Sequence, residues 1–239
     1  MKVIAMIPAR YEASRFPGKL MQLLGNKTVI RRTYEGTVET RLFDEVYVVT
    51  DNDKIEEEIQ KVGGHVLRSK QKHESGTDRI AEMARDREFD IIVNVQGDSP
   101  FVKKEPLQQV IEQFKDPAVQ VVSMMRPITH PEDIQNPNVV KVVVDLKQNA
   151  IFFSRSVIPF PRDRQAASSY YEHIGVYAFR KEILLNFTTW SLTPLEKVEK
   201  LECLRLLEQG VSIRMVMTPD KGVEIDTPED LERAHGLLR

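Results

Sequence analysis

Cysteine, long apolar runs and any excess of one charge sign are what this 239-residue sequence has little of. Its single cysteine, Cys203, excludes an intrachain disulfide and suits a reducing compartment, so a cytoplasmic location is expected. Cys203 falls among Leu201, Leu204 and Leu207, the pattern of buried filler rather than of a nucleophile. The N-terminal apolar stretch stops at Pro8 and Arg10, too soon for a signal-peptide core. No other stretch approaches the roughly 18 apolar residues of a membrane span. The 34 Lys and Arg are balanced by 36 Asp and Glu, a formal net charge of −2. Without a basic surplus no general grip on nucleic acid is expected, and any anionic ligand must be met by local positive charge. Two phosphate signatures are also missing. No G-x-G-x-x-G follows the first apolar run, and Gly18-Lys19-Leu20 lacks the upstream glycine and the Ser or Thr of a Walker loop. Ordinary NAD dehydrogenases and P-loop ATPases are thereby disfavoured.

What is present, 41% hydrophobic and 29% charged residues, fits one large α/β domain or two small ones. Short apolar runs alternate with helical spacing, the pattern of βαβ units. Strands are predicted at Val3–Ile7, Val46–Thr50, Val66–Arg68, Ile91–Val95 and Val119–Met124. Helices are predicted at Lys27–Thr40, at Lys54–Val62 closed by Gly63-Gly64, at Asp78–Arg87 and at about Pro106–Phe114. Beyond residue 126 the rhythm changes. Val139–Asp145 and Ala150–Ser154 read as paired strands around a Lys147-Gln148-Asn149 turn, and 159–172 as a polar loop. Val176–Phe179 reads as a strand, Leu195–Glu208 as one amphipathic helix and Val211–Val216 as a strand. Thr227 can cap a last helix whose first turn holds Pro228 and acids. The expected class is α/β: a single doubly wound, Rossmann-type domain over 1–239 with a mostly parallel sheet and a smaller β-rich insertion at about 126–180.

Three places carry chemistry. The loop from Pro8 to Lys19 sets three cations, Arg10, Arg15 and Lys19, at the carboxyl end of the first strand, where ligands of open α/β sheets bind. Forked arginines for oxygens and a lysine point charge suit a triphosphate, and Gly18 lets backbone come close. The same residues alone read equally as a solvated basic loop. Asp98 ends the second site, Val93-Asn94-Val95-Gln96-Gly97-Asp98; beside a polyphosphate it is a natural Mg²⁺ ligand, and otherwise a helix cap. Asp226 repeats the placement at the end of 222–226, with the same two readings, although Thr227 already offers a capping hydroxyl.

These segments stand in order with Ser75-Gly76-Thr77-Asp78-Arg79, Asn136-Pro137-Asn138-Val139-Val140-Lys141-Val142-Val143 and Phe153-Ser154-Arg155. His173-Ile174-Gly175-Val176-Tyr177, Pro194-Leu195-Glu196 and Asp226 to Glu232 follow. The set resembles the 3-deoxy-manno-octulosonate cytidylyltransferases, the CMP-Kdo synthetases of lipopolysaccharide assembly, over nearly the whole chain. The resemblance implies transfer of CMP from CTP to the anomeric hydroxyl of Kdo with release of pyrophosphate, in a homodimer built partly on 126–180. It implies that Arg10, Arg15 and Lys19 hold the CTP phosphates, with Lys19, Arg15 and Asp98 the catalytic group, and that Asp98 and Asp226 bind Mg²⁺. Ser75, Arg79 and Gln96 would recognise the nucleotide; Arg155, His173, Tyr177, Glu196 and Glu199 would line the sugar pocket. On residues alone Arg155 reads as a surface ion pair and His173 as a satisfied, half-buried histidine. The chain departs from the family in Gln96-Gly97-Asp98-Ser99-Pro100, where Ser99 stands in place of the usual Glu. That leaves an 8-amino analogue of Kdo open beside Kdo itself, and charge arithmetic at C8 favours Kdo. Sialic acid is a further acidic-sugar alternative. A non-catalytic nucleotide-binding regulator is the rival from another class, and the pair Asp98 and Asp226 speaks against it.

Overall fold

Seven almost wholly apolar residues, Val3–Ala9 (β1), form a strand with a parallel neighbour on each edge in the computed structural model, which describes residues 1–12, 16–71, 73, 75–163, 169–219 and 222–238. Parallel strands covered on both faces read as continuous apolar runs rather than alternating ones. Ile4 through Ile7 are accordingly at most 1% exposed.

The chain divides into two units. One comprises Met1–Gln108, Arg180–Thr188 and Gly222–Arg239, the other Gln109–Phe179 and Thr189–Lys221. In the first, β1 is followed by a short antiparallel pair that the sequence pattern did not signal, Leu23–Leu24 (β2) and Lys27–Thr28 (β3). Helices and strands then alternate: Val29–Glu39 (α1), Glu45–Thr50 (β4), Asp53–Gln60 (α2), His65–Arg68 (β5), Gly76–Ala84 (α3) and Ile91–Asn94 (β6), and the helix Lys104–Glu112 (α4) runs past the boundary at Gln108. The strands lie in the order β6-β1-β4-β5, every pairing parallel. The helices start where the sequence supplies a capping oxygen: Thr28, Asn52 and Ser75 accept from the backbone nitrogens of Arg31, Lys54 and Asp78. After α2, Gly63 takes a φ of 71°, the left-handed conformation expected of a glycine closing a helix.

The second unit holds Val121–Pro127 (β7), Pro131–Gln135 (α5), Lys141–Val144 (β8), Ala150–Ser154 (β9) and Tyr171–Arg180 (β10). The chain returns to the first unit for Lys181–Phe187 (α6), beside α3, and then adds Pro194–Glu199 (α7), Cys203–Glu208 (α8) and Ile213–Met217 (β11) to the second. Pro228–Gly236 (α9) ends the first unit. Here β7 and β11 are parallel, while β10 is antiparallel to β7 and β8, and β8 to β9. The α/β class with a mostly parallel sheet is therefore the one observed. No helix among the described residues is long and apolar enough to cross a membrane.

Two predicted elements are corrected. The single helix over Leu195–Glu208 is two helices, because Lys200 adopts a left-handed φ of 55° between α7 and α8. The strand predicted at Val176–Phe179 begins at Tyr171, with a register shift between Ile174 and Tyr177. Its polar start, read as loop, is paired: Glu172 lies opposite Arg126 on β7 and forms an ion pair with it.

The turn after β6 is tight. A Cβ at Gly97 would lie 2.9 Å from the Pro8 carbonyl oxygen on β1 and 3.4 Å from Ile30 Cδ1. Backbone cannot yield as a side chain can, so Gly97→Ala is expected to cost about 1–3 kcal/mol of stability. The measurement is the urea midpoint at unchanged m-value; a midpoint equal to that of the wild type would mean β1 moves aside freely.

Candidate active site

The carboxyl ends of the parallel strands of the first unit carry Arg10 after β1, Asp51 after β4, and Gln96 and Asp98 after β6. The cationic loop is folded back on itself: Gly18, at a φ of 69°, donates its N–H to the Tyr11 carbonyl at 2.9 Å. Lys19 follows in a short 3-10 turn, and its Nζ donates to Asp98 Oδ2 at 2.5 Å and to Asp226 Oδ1 at 2.8 Å. The two aspartates, far apart in sequence, are joined by the main chain, where Ile225 N donates to the Asp98 carbonyl at 2.9 Å. The helix-cap reading fails for both. No helix begins between Asp98 and Lys104, and α9 is capped by Thr227 in a reciprocal box with Asp230. Asp230, not Asp226, accepts the backbone nitrogens of that turn. Burial pulls the Lys19 pKa down, but Asp98 and Asp226 together outweigh it and raise it, so the ammonium stays charged.

A second cluster lies around Arg79, which is 3% exposed and donates from Nη2 to Asp51 Oδ2 at 2.9 Å. The hydrogen bond from Arg79 holds the Asp51 carboxyl below the usual carboxylate range against the opposing push of burial, with the charges of Arg79 and Arg10 adding to it. Among the described residues, Arg79 Nε and Nη1 are buried without a hydrogen-bond partner. Buried donors left over in this way are costly unless a ligand takes them. Asp51 was not singled out from the sequence, although it repeats the placement of Asp98 just past a strand. Ser75 caps α3, its hydroxyl accepting from Asp78 N and donating to Asp78 Oδ2, both at 3.0 Å. Gln96 opens the turn to Asp98, its carbonyl accepting from Ser99 N. Arg15 lies outside the described residues.

The residues assigned to the sugar all lie in the second unit. Arg155 and Glu199 come together: the Glu199 carboxylate accepts from Ser154 Oγ at 2.6 Å and Arg155 N at 2.9 Å, while Arg155 Nε donates to the Glu199 carbonyl at 2.8 Å. Arg155 Nη1 reaches the Pro137 carbonyl at 2.9 Å, tying the Asn136-Pro137-Asn138 segment to the same knot. Underneath, fully buried Lys141 donates to the carbonyls of Asn136, Val139 and Arg155 at 2.9, 2.7 and 2.7 Å. Burial, then the charge of Arg155, lowers its pKa, partly opposed by Glu199 and Glu172. The sequence assigned Lys141 no role, since the three carbonyls around it come together only in the fold.

His173 and Tyr177 also meet, ring centroids 5.3 Å apart, with Phe153 4.9 Å from His173 on β9. Burial pushes the His173 pKa down to about 4, so the imidazole is neutral at pH 7, and Ser123 Oγ lies 3.0 Å from its Nε2. Burial likewise raises Tyr177 well above its usual range and Cys203, hydrogen-bonded to it, to about 12. A thiol so placed is filler, as its apolar neighbours indicated. Glu196 is paired with Arg205: its two carboxylate oxygens accept from Arg205 Nη2 at 2.5 Å and Nε at 2.8 Å.

Asp98 and Asp226 put hard oxygen donors around one cationic point, at present the Lys19 ammonium. Among the described residues no cluster of three or more His, Cys, Asp or Glu could enclose a metal. Two carboxylates with room for phosphate oxygens and water are nonetheless what Mg²⁺ ordinarily uses, so the residues fit that ion.

The cytidylyltransferase family profile matches residues 4–213. A 3-deoxy-manno-octulosonate cytidylyltransferase from Flavobacterium johnsoniae is 56% identical over 242 residues, spanning 100% of this chain and 99% of that protein. One from Christiangramia forsetii is 52% identical, spanning 99% of this chain and 97% of its own length. A solved CMP:2-keto-3-deoxy-manno-octonic acid synthetase complexed with CTP matches at a TM-score of 0.95 and 36% identity, over 100% of this chain and 98% of that one. With the likeness running from end to end in sequence and in fold, this chain belongs to the 3-deoxy-manno-octulosonate cytidylyltransferase family.

Proposed function

We propose that this chain transfers CMP from CTP to the C2 anomeric hydroxyl of Kdo, yielding CMP-Kdo and pyrophosphate for lipopolysaccharide assembly, with Mg²⁺ held by Asp98 and Asp226. The observation that carries the reading is the meeting of Lys19, Asp98 and Asp226 beyond the strand ends, in a chain of this family. The sugar hydroxyl gives up its proton to water, its oxygen forms a bond to the α-phosphorus, the bond to the bridging oxygen of the β-phosphate breaks, and pyrophosphate leaves. Such a displacement depends on positioning and charge neutralisation, with no covalent intermediate on the protein. Mg²⁺ at the two carboxylates supplies a Lewis acid that favours the ionised sugar hydroxyl. Arg10, Arg15 and Lys19 bind the triphosphate, and Arg15 and Lys19 steady the charge that builds on the departing pyrophosphate. Ser75, Arg79 and Gln96 take the nucleotide, and the buried donors of Arg79 support that role. Arg155, its fork fixed by the carbonyls of Glu199 and Pro137, meets the sugar carboxylate. The neutral ring of His173 beside Tyr177 and Phe153 offers an uncharged wall. A CTP substrate supports a cytoplasmic location for the reaction. Exposed Leu146, Ile151 and Phe160 support a homodimer built partly on 126–180.

Pyrophosphate release is the direct test. CTP, Mg²⁺ and Kdo together are expected to release it, and EDTA to stop it. Equal turnover with UTP, or activity that survives chelation, would overturn the assignment.

A further inference from the structure

Lys19 is placed where a metal ion would be. Its Nζ touches one oxygen of each aspartate, at 2.5 and 2.8 Å; the three side chains are 12%, 22% and 36% exposed, so the contact is partly shielded from water. A magnesium ion sits about 2.0–2.1 Å from its oxygens. It could not share these two carboxylates with an ammonium already in contact without bringing two cations close together. The backbone at Lys19 is held, its N–H donating to Phe16 O at 3.1 Å, whereas the lysine stem turns about several single bonds. The side chain is therefore the part that can leave.

We propose that Lys19 keeps the metal site closed in the nucleotide-free protein, and that its ammonium gives up Asp98 and Asp226 to the divalent cation only when the CTP triphosphate offers it another anion. The inference rests on the reading of the two aspartates as metal ligands. Charge explains the exchange. Two carboxylates and one ammonium leave a single negative charge, too little to hold a dication and the ammonium side by side. A bound triphosphate brings enough negative charge for both cations, so the lysine moves to phosphate and the metal takes the aspartates. Metal and nucleotide then bind cooperatively, and the coupling is reciprocal. Lys19 thus serves in turn as stand-in for the metal and as phosphate ligand, which keeps a bare cation from occupying the site ahead of the nucleotide. A lysine that served only as phosphate ligand would leave metal affinity in the free protein unchanged.

The test is Mn²⁺ binding to the nucleotide-free, full-length chain, followed by the electron paramagnetic resonance signal of unbound Mn²⁺. Lys19→Met is expected to tighten binding by about tenfold or more, in the range of ordinary site–site coupling. Adding Asp98→Asn to that variant is expected to abolish the gain. Lys19→Gln, which keeps a polar group, serves as the second variant should the methionine impair folding, with the same direction expected. Unchanged Mn²⁺ affinity in a folded Lys19 variant overturns the inference, as does a gain that survives Asp98→Asn. The metal-ligand reading stands or falls separately, on the turnover of the aspartate variants of the wild-type background.

Discussion

Asp98→Asn and Asp226→Asn are each expected to cut turnover about a hundredfold or more, on the order of 3 kcal/mol of barrier. Asparagine keeps the shape of aspartate and one oxygen, so the turn after β6 and the start of α9 are undisturbed. What it removes is the negative charge that holds a cation against the reacting phosphate. Folding should change little, because Lys19 keeps its other carboxylate in either variant. These pairs are partly open to water, where ion pairs contribute only about 0–1 kcal/mol. The melting curve is the control and pyrophosphate release the readout. A lowered melting temperature with turnover intact in Asp226→Asn would reduce that residue to an anchor for Lys19, and the second metal ligand would have to be sought elsewhere.

Much of the fold was legible because the relevant physics is local. Val3–Ile7 is a continuous apolar run, and Ile91–Val95 is one but for Asn94, because both strands pair in parallel and are buried on both faces. Thr227 and Pro228 announced α9 because helix termini have few ways to satisfy their backbone groups. The break at Lys200 was invisible, since neither glycine nor proline marks it. It is stabilised from a distance, by the bonds Glu199 makes to Ser154 and Arg155. The early start of β10 was hidden because Tyr171-Glu172-His173 looks polar until Arg126 and Ser123 are brought opposite.

Of the candidate site, Asp98 could be picked out as an acid past a strand end; Asp226 was expected at one too, but 222–226 forms no strand and Asp226 simply precedes α9. Their shared hold on Lys19, which depends on the pairing of Ile225 with Asp98, could not be read from the sequence. Asp51 is the same kind of residue and passed unnoticed, because its partner Arg79 belongs to another segment. Lys141 shows the limit in reverse. Its charge predicts exposure, yet three carbonyl oxygens from residues 136, 139 and 155 replace its water, and only the folded chain assembles them.

Glu196→Gln is expected to act on stability and not on the sugar. The resemblance to the family placed Glu196 in the sugar pocket, but here it is 4% exposed and Arg205 7%, and the two make a two-pronged ion pair at 2.5 and 2.8 Å. The same carboxylate accepts from Thr193 N as the third residue of the α7 capping box, so one side chain binds the start of α7 to the middle of α8. Glutamine can still cap, but it leaves a buried guanidinium without a counter-charge. Breaking a buried pair from one side costs about 3–5 kcal/mol. At roughly 2–4 °C per kcal/mol for a chain of this size, melting should fall by on the order of 10 °C. Replacing both partners, as Glu196→Leu with Arg205→Met, should recover most of that loss, since neither charge is then stranded in the interior. Assayed well below its melting temperature, Glu196→Gln should keep the KM for Kdo near that of the wild type. The opposite result, a normal melting curve with KM raised severalfold, would mean that Glu196 leaves Arg205 to bind the sugar, and that the pair seen here is only its resting arrangement.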